Sequence, residues 1–194
     1  MSNKPSYLGL LNAVSIAESR AHAYLTAWAA VTPSDGVRNV LLTVAAREGE
    51  HGMSFAKRIN ELGYTVRTKD DDEGFQKRLA VASSGRTDLE KMEKLGLGRL
   101  DTGDKPDIFD GVFKDHSIDI RTGELLGRYI AEERDTARLL RSCYDQLVAA
   151  SKSKSAPAAT DSLGSLEAKV DTLCRAVEEL RQIVCAQAMP TTAA

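Results

Sequence analysis

Between Ser6 and Ala30 the residues Leu11, Val14, Glu18, Ala21, Leu25 and Trp28 follow one another at steps of three and four, the spacing that lines side chains along one face of a helix. The stripe predicts an amphipathic helix over about 6–30 with a glutamate set in the middle of its apolar face. Thr32-Pro33-Ser34-Asp35 then reads as a new helix start, with Thr32 as N-cap, Pro33 at the first helical position and Asp35 in the first turn. So short a break implies an antiparallel neighbour. The second stripe is Val37, Leu41, Val44, Ala45, Glu48, Gly52, Phe55, Ile59 and Leu62, closed by Gly63 as a C-terminal cap, and it too carries a glutamate.

The pattern then weakens. An acidic run, Asp70 to Glu73, precedes shorter helical pieces at Phe75–Ala82, Leu89–Leu95 and Ile108–Phe113, separated by Ser83-Ser84-Gly85 and by the glycines from Gly96 to Gly103. No continuous third helix is predicted here. From about Asp119 to Ala149 the period returns, with Leu126, Ile130, Glu133, Ala137, Leu140, Tyr144 and Leu147 on one stripe, and a third carboxylate stands on an apolar face.

Residues 151–162, rich in Ser, Ala and Lys with one Pro, have the composition of a flexible linker. Beyond them Leu163, Val170, Val177 and Val184 alternate with Leu166, Leu173 and Leu180 at heptad spacing as far as Gln187. β-Branched residues at the first position and Leu at the fourth favour two parallel strands, so this segment predicts self-association as a dimeric coiled coil; docking onto the bundle, joining a larger assembly or binding a protein partner is the alternative. The expected organisation is a helical bundle over 1–150, the linker, a coiled-coil helix over 163–188 and a disordered tail over 189–194.

Composition sharpens this in two ways. With 42% hydrophobic but only 5% aromatic residues the chain has the make-up of an all-α protein. With 26 basic against 28 acidic residues, its net charge of −2 offers no electrostatic reason to bind nucleic acid or an anionic membrane surface. No apolar run approaches the ~20 residues needed to span a bilayer, no leader pattern is visible, and Cys143, Cys174 and Cys185 form neither a CxxC pair nor a zinc-finger spacing. A cytoplasmic protein with reduced thiols is expected.

The candidate chemistry lies in the glutamates on the apolar stripes, Glu18, Glu48 and Glu133. A buried unpaired carboxylate costs several kcal/mol or stays protonated, so something must compensate, and a shared divalent cation is one solution. Glu48-Gly49-Glu50-His51 places Glu48 and His51 three apart on adjacent points of one helical face. An alternative without metal has Arg47, Glu48, Glu50, Glu132, Glu133 and Arg134 forming ion pairs along the helix faces. His22, one turn after Glu18, is placed to join the site or to pair with a neighbouring acid. Tyr24, Tyr129 and Tyr144 are read as core packing residues, with hydrogen-bond donors or one-electron sources near the site as the alternative.

With its glutamate on a first helix, Glu-x-x-His on a second and glutamate on a last helix, the sequence resembles the ferritin-like superfamily, in particular rubrerythrin-type four-helix bundles, over about residues 6–149. The resemblance implies a ferritin-like antiparallel bundle with an irregular middle segment, one or two irons as cofactor, and Glu18, Glu48, His51 and Glu133 as metal ligands. The chain departs from that pattern where Thr136, not His, stands three residues after Glu133. Glu132 with Asp135 is a possible substitute, Glu90 and Glu93 are the candidates for a third-helix ligand, and no Cys-rich electron-transfer module is present. Two functions lead as expectations, with a ferritin storage shell ranked behind them. One is an iron-binding protein acting as an oxygen- or peroxide-linked oxidoreductase or ferroxidase; the other is a metal-free scaffold or adaptor working through its coiled coil.

Overall fold

The computed structural model describes residues 4–68, 73–99, 114–155, 169–172 and 174–175, and these divide into two units, Met1–Ser151 and Lys152–Ala194. Within them the protein is all-α. The first unit is built on three long helices, α1 (Leu8–Val31), α2 (Asp35–Glu61) and α5 (Ile120–Ser155), with two short ones between, α3 (Glu73–Ala82) and α4 (Asp88–Leu95), and a 3-10 turn over Leu97–Arg99. The expected piece at 108–113 lies outside the described residues, as do 70–72 of the acidic run and nearly all of the segment from 156 onward. The described residues between 169 and 175 are helical and exposed. α5 continues to Ser155, so its last turn occupies the start of the stretch expected to be linker.

α1 and α2 are antiparallel. Ser15 Oγ donates to the Gly52 carbonyl (3.0 Å), His22 Nδ1 meets the Ala45 carbonyl (2.7 Å), and Arg38 Nε donates to the Ala29 carbonyl (3.2 Å), so numbers fall along α2 as they rise along α1. The turn between them differs from the sequence expectation. Ser34, not Thr32, caps α2 by accepting the N–H of Val37, and Pro33 precedes the helix instead of opening it. Thr32 serves α1 and α4: its N–H closes α1 on the Trp28 carbonyl and its hydroxyl donates to Asp88 (2.7 Å). Asp88, buried, also accepts Trp28 Nε1–H (2.7 Å), and the Lys91 ammonium sits 5.8 Å from the Trp28 ring, so α4 is pinned to the α1–α2 turn by a buried polar cluster.

At its other end α2 closes in a Schellman motif. Tyr64 N–H reaches the Ile59 carbonyl and Gly63 N–H the Asn60 carbonyl, with Gly63 at φ +82°, a conformation glycine adopts without strain. α4 opens with a reciprocal capping box between Thr87 and Glu90 and stops at Gly96, φ +72°. α3 and α4 form a hairpin, because Arg78 Nη1 donates to the Leu95 carbonyl (3.3 Å). A fourth long helix is absent among the described residues; this hairpin stands on that side of α1 instead.

α5 runs antiparallel to α2 and parallel to α1. Just before it, Asp119 accepts the N–H of Thr122 (3.1 Å), Arg58 Nη2–H (2.8 Å) and the Tyr7 hydroxyl (2.8 Å), joining the start of α5 to the other two long helices. The core falls into two apolar clusters. One contains Leu25, Trp28, Leu41, Val44, Met92, Leu95 and Leu140; the other contains Leu11, Val14, Phe55, Ile59, Leu126, Tyr129 and Ile130. On each long helix the residues dividing one cluster from the other are the polar ones, Glu18 on α1, Glu48 and His51 on α2, and Glu133 on α5.

α1 and α2 lie close together at Gly52, where a methyl group would lie 2.5 Å from Ser19 Oγ, 3.1 Å from its backbone nitrogen and 3.3 Å from the Ser15 carbonyl oxygen. Gly127 of α5 has open space at the same position. Gly127→Ala is therefore expected to stabilise the fold by up to about 1 kcal/mol through helix propensity alone. Gly52→Ala, despite the same gain, is expected to destabilise it, because overpacking costs about 1–3 kcal/mol and two of the opposing atoms are backbone. Urea unfolding midpoints with unchanged slopes would measure both.

Asp119 supplies a second test. Partial burial works against its charge, but hydrogen bonds from Thr122, Tyr7 and Arg58 outweigh it and hold the carboxyl well below its usual range. Since the folded state lowers this affinity for protons, the carboxylate's stabilisation is complete above the unfolded-state value and is lost as pH falls towards the folded one. Asp119→Ala should cost about 1–2 kcal/mol at pH 7 through loss of the helix cap. The gap from the unaltered protein should narrow below about pH 4.

Candidate metal centre

Three carboxylates and an imidazole converge between the two apolar clusters. Glu18, Glu48 and His51 are buried and Glu133 is half-buried, and one ligand atom from each can be chosen so that all four lie within 4.8 Å of one another. Helix period explains why each residue faces inward: Glu18 follows Val14 by one turn, Glu48 precedes Phe55 by two, and Glu133 follows Ile130 by three residues, all on buried faces. Close contact between α1 and α2 brings the first two together. Besides the approach at Gly52, a methyl group at Gly49 would lie 2.9 Å from the His22 ring, so both glycines let α1 side chains lie against the α2 backbone. His22 is turned to the Ala45 carbonyl and belongs to that packing, not to the cluster.

The electrostatics of the cluster are unbalanced. Glu48 is pushed far above the usual carboxylate range by burial and by its contact with Glu18, with the charge of Glu133 adding and Arg47 only partly offsetting. At neutral pH and without a cation it holds a proton. Tyr129, whose phenol is raised by burial and by the charges of Glu18 and Glu133, stays protonated and donates to Glu18 Oε1 (2.7 Å). Its ring stands edge-on to His51 at 5.0 Å and to Phe55 at 5.1 Å.

His51 is oriented from behind. Its Nε2 lies 2.6 Å from Glu132 Oε2, and Glu132 Oε1 accepts from Arg128 Nε (3.0 Å), which also pairs with Glu50. Burial lowers the affinity of His51 for a proton, but Glu133 and Glu132 outweigh burial and leave it raised. With Nε2–H directed to Glu132, Nδ1 faces the cluster, 3.4 Å from Glu133 Oε1. Neither of those two buried atoms has a hydrogen-bond partner. When His51 carries a single proton, on Nε2, its Nδ1 lone pair and the Glu133 oxygen face each other without a hydrogen bond and are complementary to a cation between them; when it carries two, Nδ1–H faces Glu133 as a charged pair. A first-row ion with bonds of about 2.1 Å holds its ligand atoms about 3–4.2 Å apart, within the 4.8 Å limit found here, so the four residues are near enough to share one ion.

The other sequence candidates are elsewhere. Glu132 stands behind His51, Asp135 pairs with Arg47 (2.6 Å), and Thr136, buried at the position where the resemblance implies a second histidine, faces Arg47 Nη1 at 3.4 Å. Glu90 is used by its capping box and Glu93 is exposed. Ion pairs along the helix faces are thus present, at Arg47–Asp135 and Arg128–Glu50, but they flank the cluster and do not neutralise it. Sequence reasoning missed the orienting role of Glu132, which depends on the register of α5 against α2, and the role of Gly49 and Gly52, whose presence inside a strong helical pattern was the available signal.

Comparison with known proteins gives no support from relatives: no protein family, no curated sequence and no solved structure matches this chain. Likeness to a ferritin-like bundle therefore rests on the helical architecture and the Glu/His cluster, which are compatible with it. Among the described residues no helix is long and apolar enough to cross a membrane.

Since Glu132 fixes the ring that presents Nδ1, Glu132→Ala is expected to weaken divalent-cation binding by about 10–100-fold with little change in Tm. Titration with Co(II), followed by its visible absorption, would measure the loss; unchanged affinity would remove Glu132 from the site.

Proposed function

We propose that this chain binds a single iron ion through Glu18, Glu48, His51 and Glu133 and acts as a ferritin-like oxidoreductase or ferroxidase towards dioxygen or peroxide. The observation that carries the reading is the unsatisfied pair, His51 Nδ1 and Glu133 Oε1, facing each other beside a carboxylate that without a cation must hold a proton. Carboxylate-rich ligation with one imidazole stabilises the ferric state, so iron held there supplies one-electron transfer between its two common oxidation states.

The chain's own residues do the rest. Tyr129 occupies Oε1 of Glu18 and leaves Oε2 for a ligand bond; Glu132 holds the imidazole tautomer; Phe55 and Tyr129 on one side and Leu25, Val44 and Leu140 on the other keep the centre in apolar surroundings. Binding releases the proton of Glu48, because a cation reverses the balance that raised its affinity for protons. One ion is preferred to two because Glu132, Asp135, Glu90 and Glu93 are all otherwise placed.

A second reading, a metal-free scaffold that self-associates through residues 163–187 or binds a protein partner there, draws support from Thr136 standing where a further ligand is expected. Anaerobic loading with Fe(II) followed by desalting separates the two. One iron per chain retained by the natural protein, and none by Glu48→Ala or His51→Ala, is the expected result; equal retention in all three would remove the metal reading. Truncation after Lys152 should leave iron retention intact, whereas a scaffold would lose its assembly, visible as a change in size-exclusion volume.

A further inference from the structure

A cavity of about 700 Å³ borders Glu18, Glu48 and Glu133 on the side where the α3–α4 hairpin lies. Dioxygen or a peroxide needs little more room than one or two waters, each with a share of about 30 Å³ of liquid. Cavities of roughly 300–1,000 Å³ are the size class that encloses organic ligands.

Its lining is divided by chemistry. The three glutamates cluster together, Leu25, Val44, Leu95, Leu97 and Leu140 supply an apolar wall, and Tyr24, Thr136, Arg20 and Arg78 supply the remaining polar groups. Arg78 is exposed, donates Nη1–H to the Leu95 carbonyl, also contacts the Tyr24 phenol, and has no acidic partner among the described residues. A carboxylate ligand is repelled from the glutamates and attracted to Arg78, whose planar fork matches it in two parallel hydrogen bonds. The apolar body of such a ligand then points along the leucine wall towards the buried centre.

We propose that this cavity is the binding site of an amphipathic monocarboxylate, a molecule with an apolar body and one acid group, with Arg78 holding the acid and the leucine wall the body. As a substrate site it rests on the metal reading above, but binding itself needs no metal, so the two ideas can fail separately.

The experiment is isothermal titration of the full chain with octanoate, metal-free and after Fe(II) loading, alongside octan-1-ol and acetate. Saturable binding of about one octanoate per chain is expected, with octan-1-ol and acetate each weaker, since either the acid or the body is missing. Arg78→Ala should weaken octanoate about tenfold, as loss of one charge-assisted contact does, with Arg78→Lys recovering part of the loss. Ala17→Phe, placing a ring into the cavity from an exposed position on α1, should abolish binding while leaving Tm unchanged. No saturable octanoate binding in either form, or binding indifferent to both Arg78→Ala and Ala17→Phe, would overturn the proposal. Binding without iron retention would sustain the cavity and sink the metal; iron retention without octanoate binding would do the reverse.

Discussion

At Gly52 the backbone of α2 runs against Ser15 and Ser19 of α1 with no room for a methyl group, and this proximity puts Glu18 and Glu48 into one buried space. Two carboxylates held so close cannot both be ionised in apolar surroundings without a compensating charge. Spreading the helices by the width of a side chain would relieve the conflict and would also remove the site. The protein keeps the conflict: it has two small residues on each helix at the contact and a hydrogen bond, Ser15 to the Gly52 carbonyl, across it.

Around that constraint the remaining polar groups are arranged in layers. Tyr129 and His51 touch the carboxylates directly, Glu132 touches His51, and Arg128 and Arg47 touch Glu132 and Asp135 further out. The outer pairs are only part-buried and contribute little to stability by themselves, since ion pairs open to solvent contribute roughly 0–1 kcal/mol. Their effect is positional: they set the rotamers of α5 side chains whose buried partners are on α2. The apolar clusters on both sides of the belt hold the three long helices together, so a centre that is itself costly is carried by packing elsewhere.

The parts of this arrangement that were legible in the sequence are those that depend on period. The stripes of α1, α2 and α5 show at steps of three and four, and the same stripes carry Glu18, Glu48 and Glu133; Ser83-Ser84-Gly85 and Gly96 mark where the middle helices break. What was not legible depends on partners distant in the chain. Thr32 has every local property of an N-cap, yet its hydroxyl is taken by Asp88, 56 residues away, and Ser34 caps instead. Glu132 and Glu133 are neighbours in sequence, and only the register of α5 on α2 decides which faces His51 from behind and which from the front.

The lack of a ligand on the α3–α4 side, among the described residues, and the presence of the cavity have one physical origin. A continuous helix on the α3–α4 side of α1 would present a side chain every turn to the space beside Glu18 and Glu48, some of them long enough to reach it. The hairpin ends its first helix at Ala82 and turns back through Thr87, and its glutamates fall on the capping box and on the outer surface. It roofs that space with Phe75 and Arg78 but does not fill it. A side without a ligand and an unfilled cavity are therefore two aspects of the same arrangement, and Glu18, Glu48 and Glu133 are left with one side open to a cavity walled partly by apolar side chains.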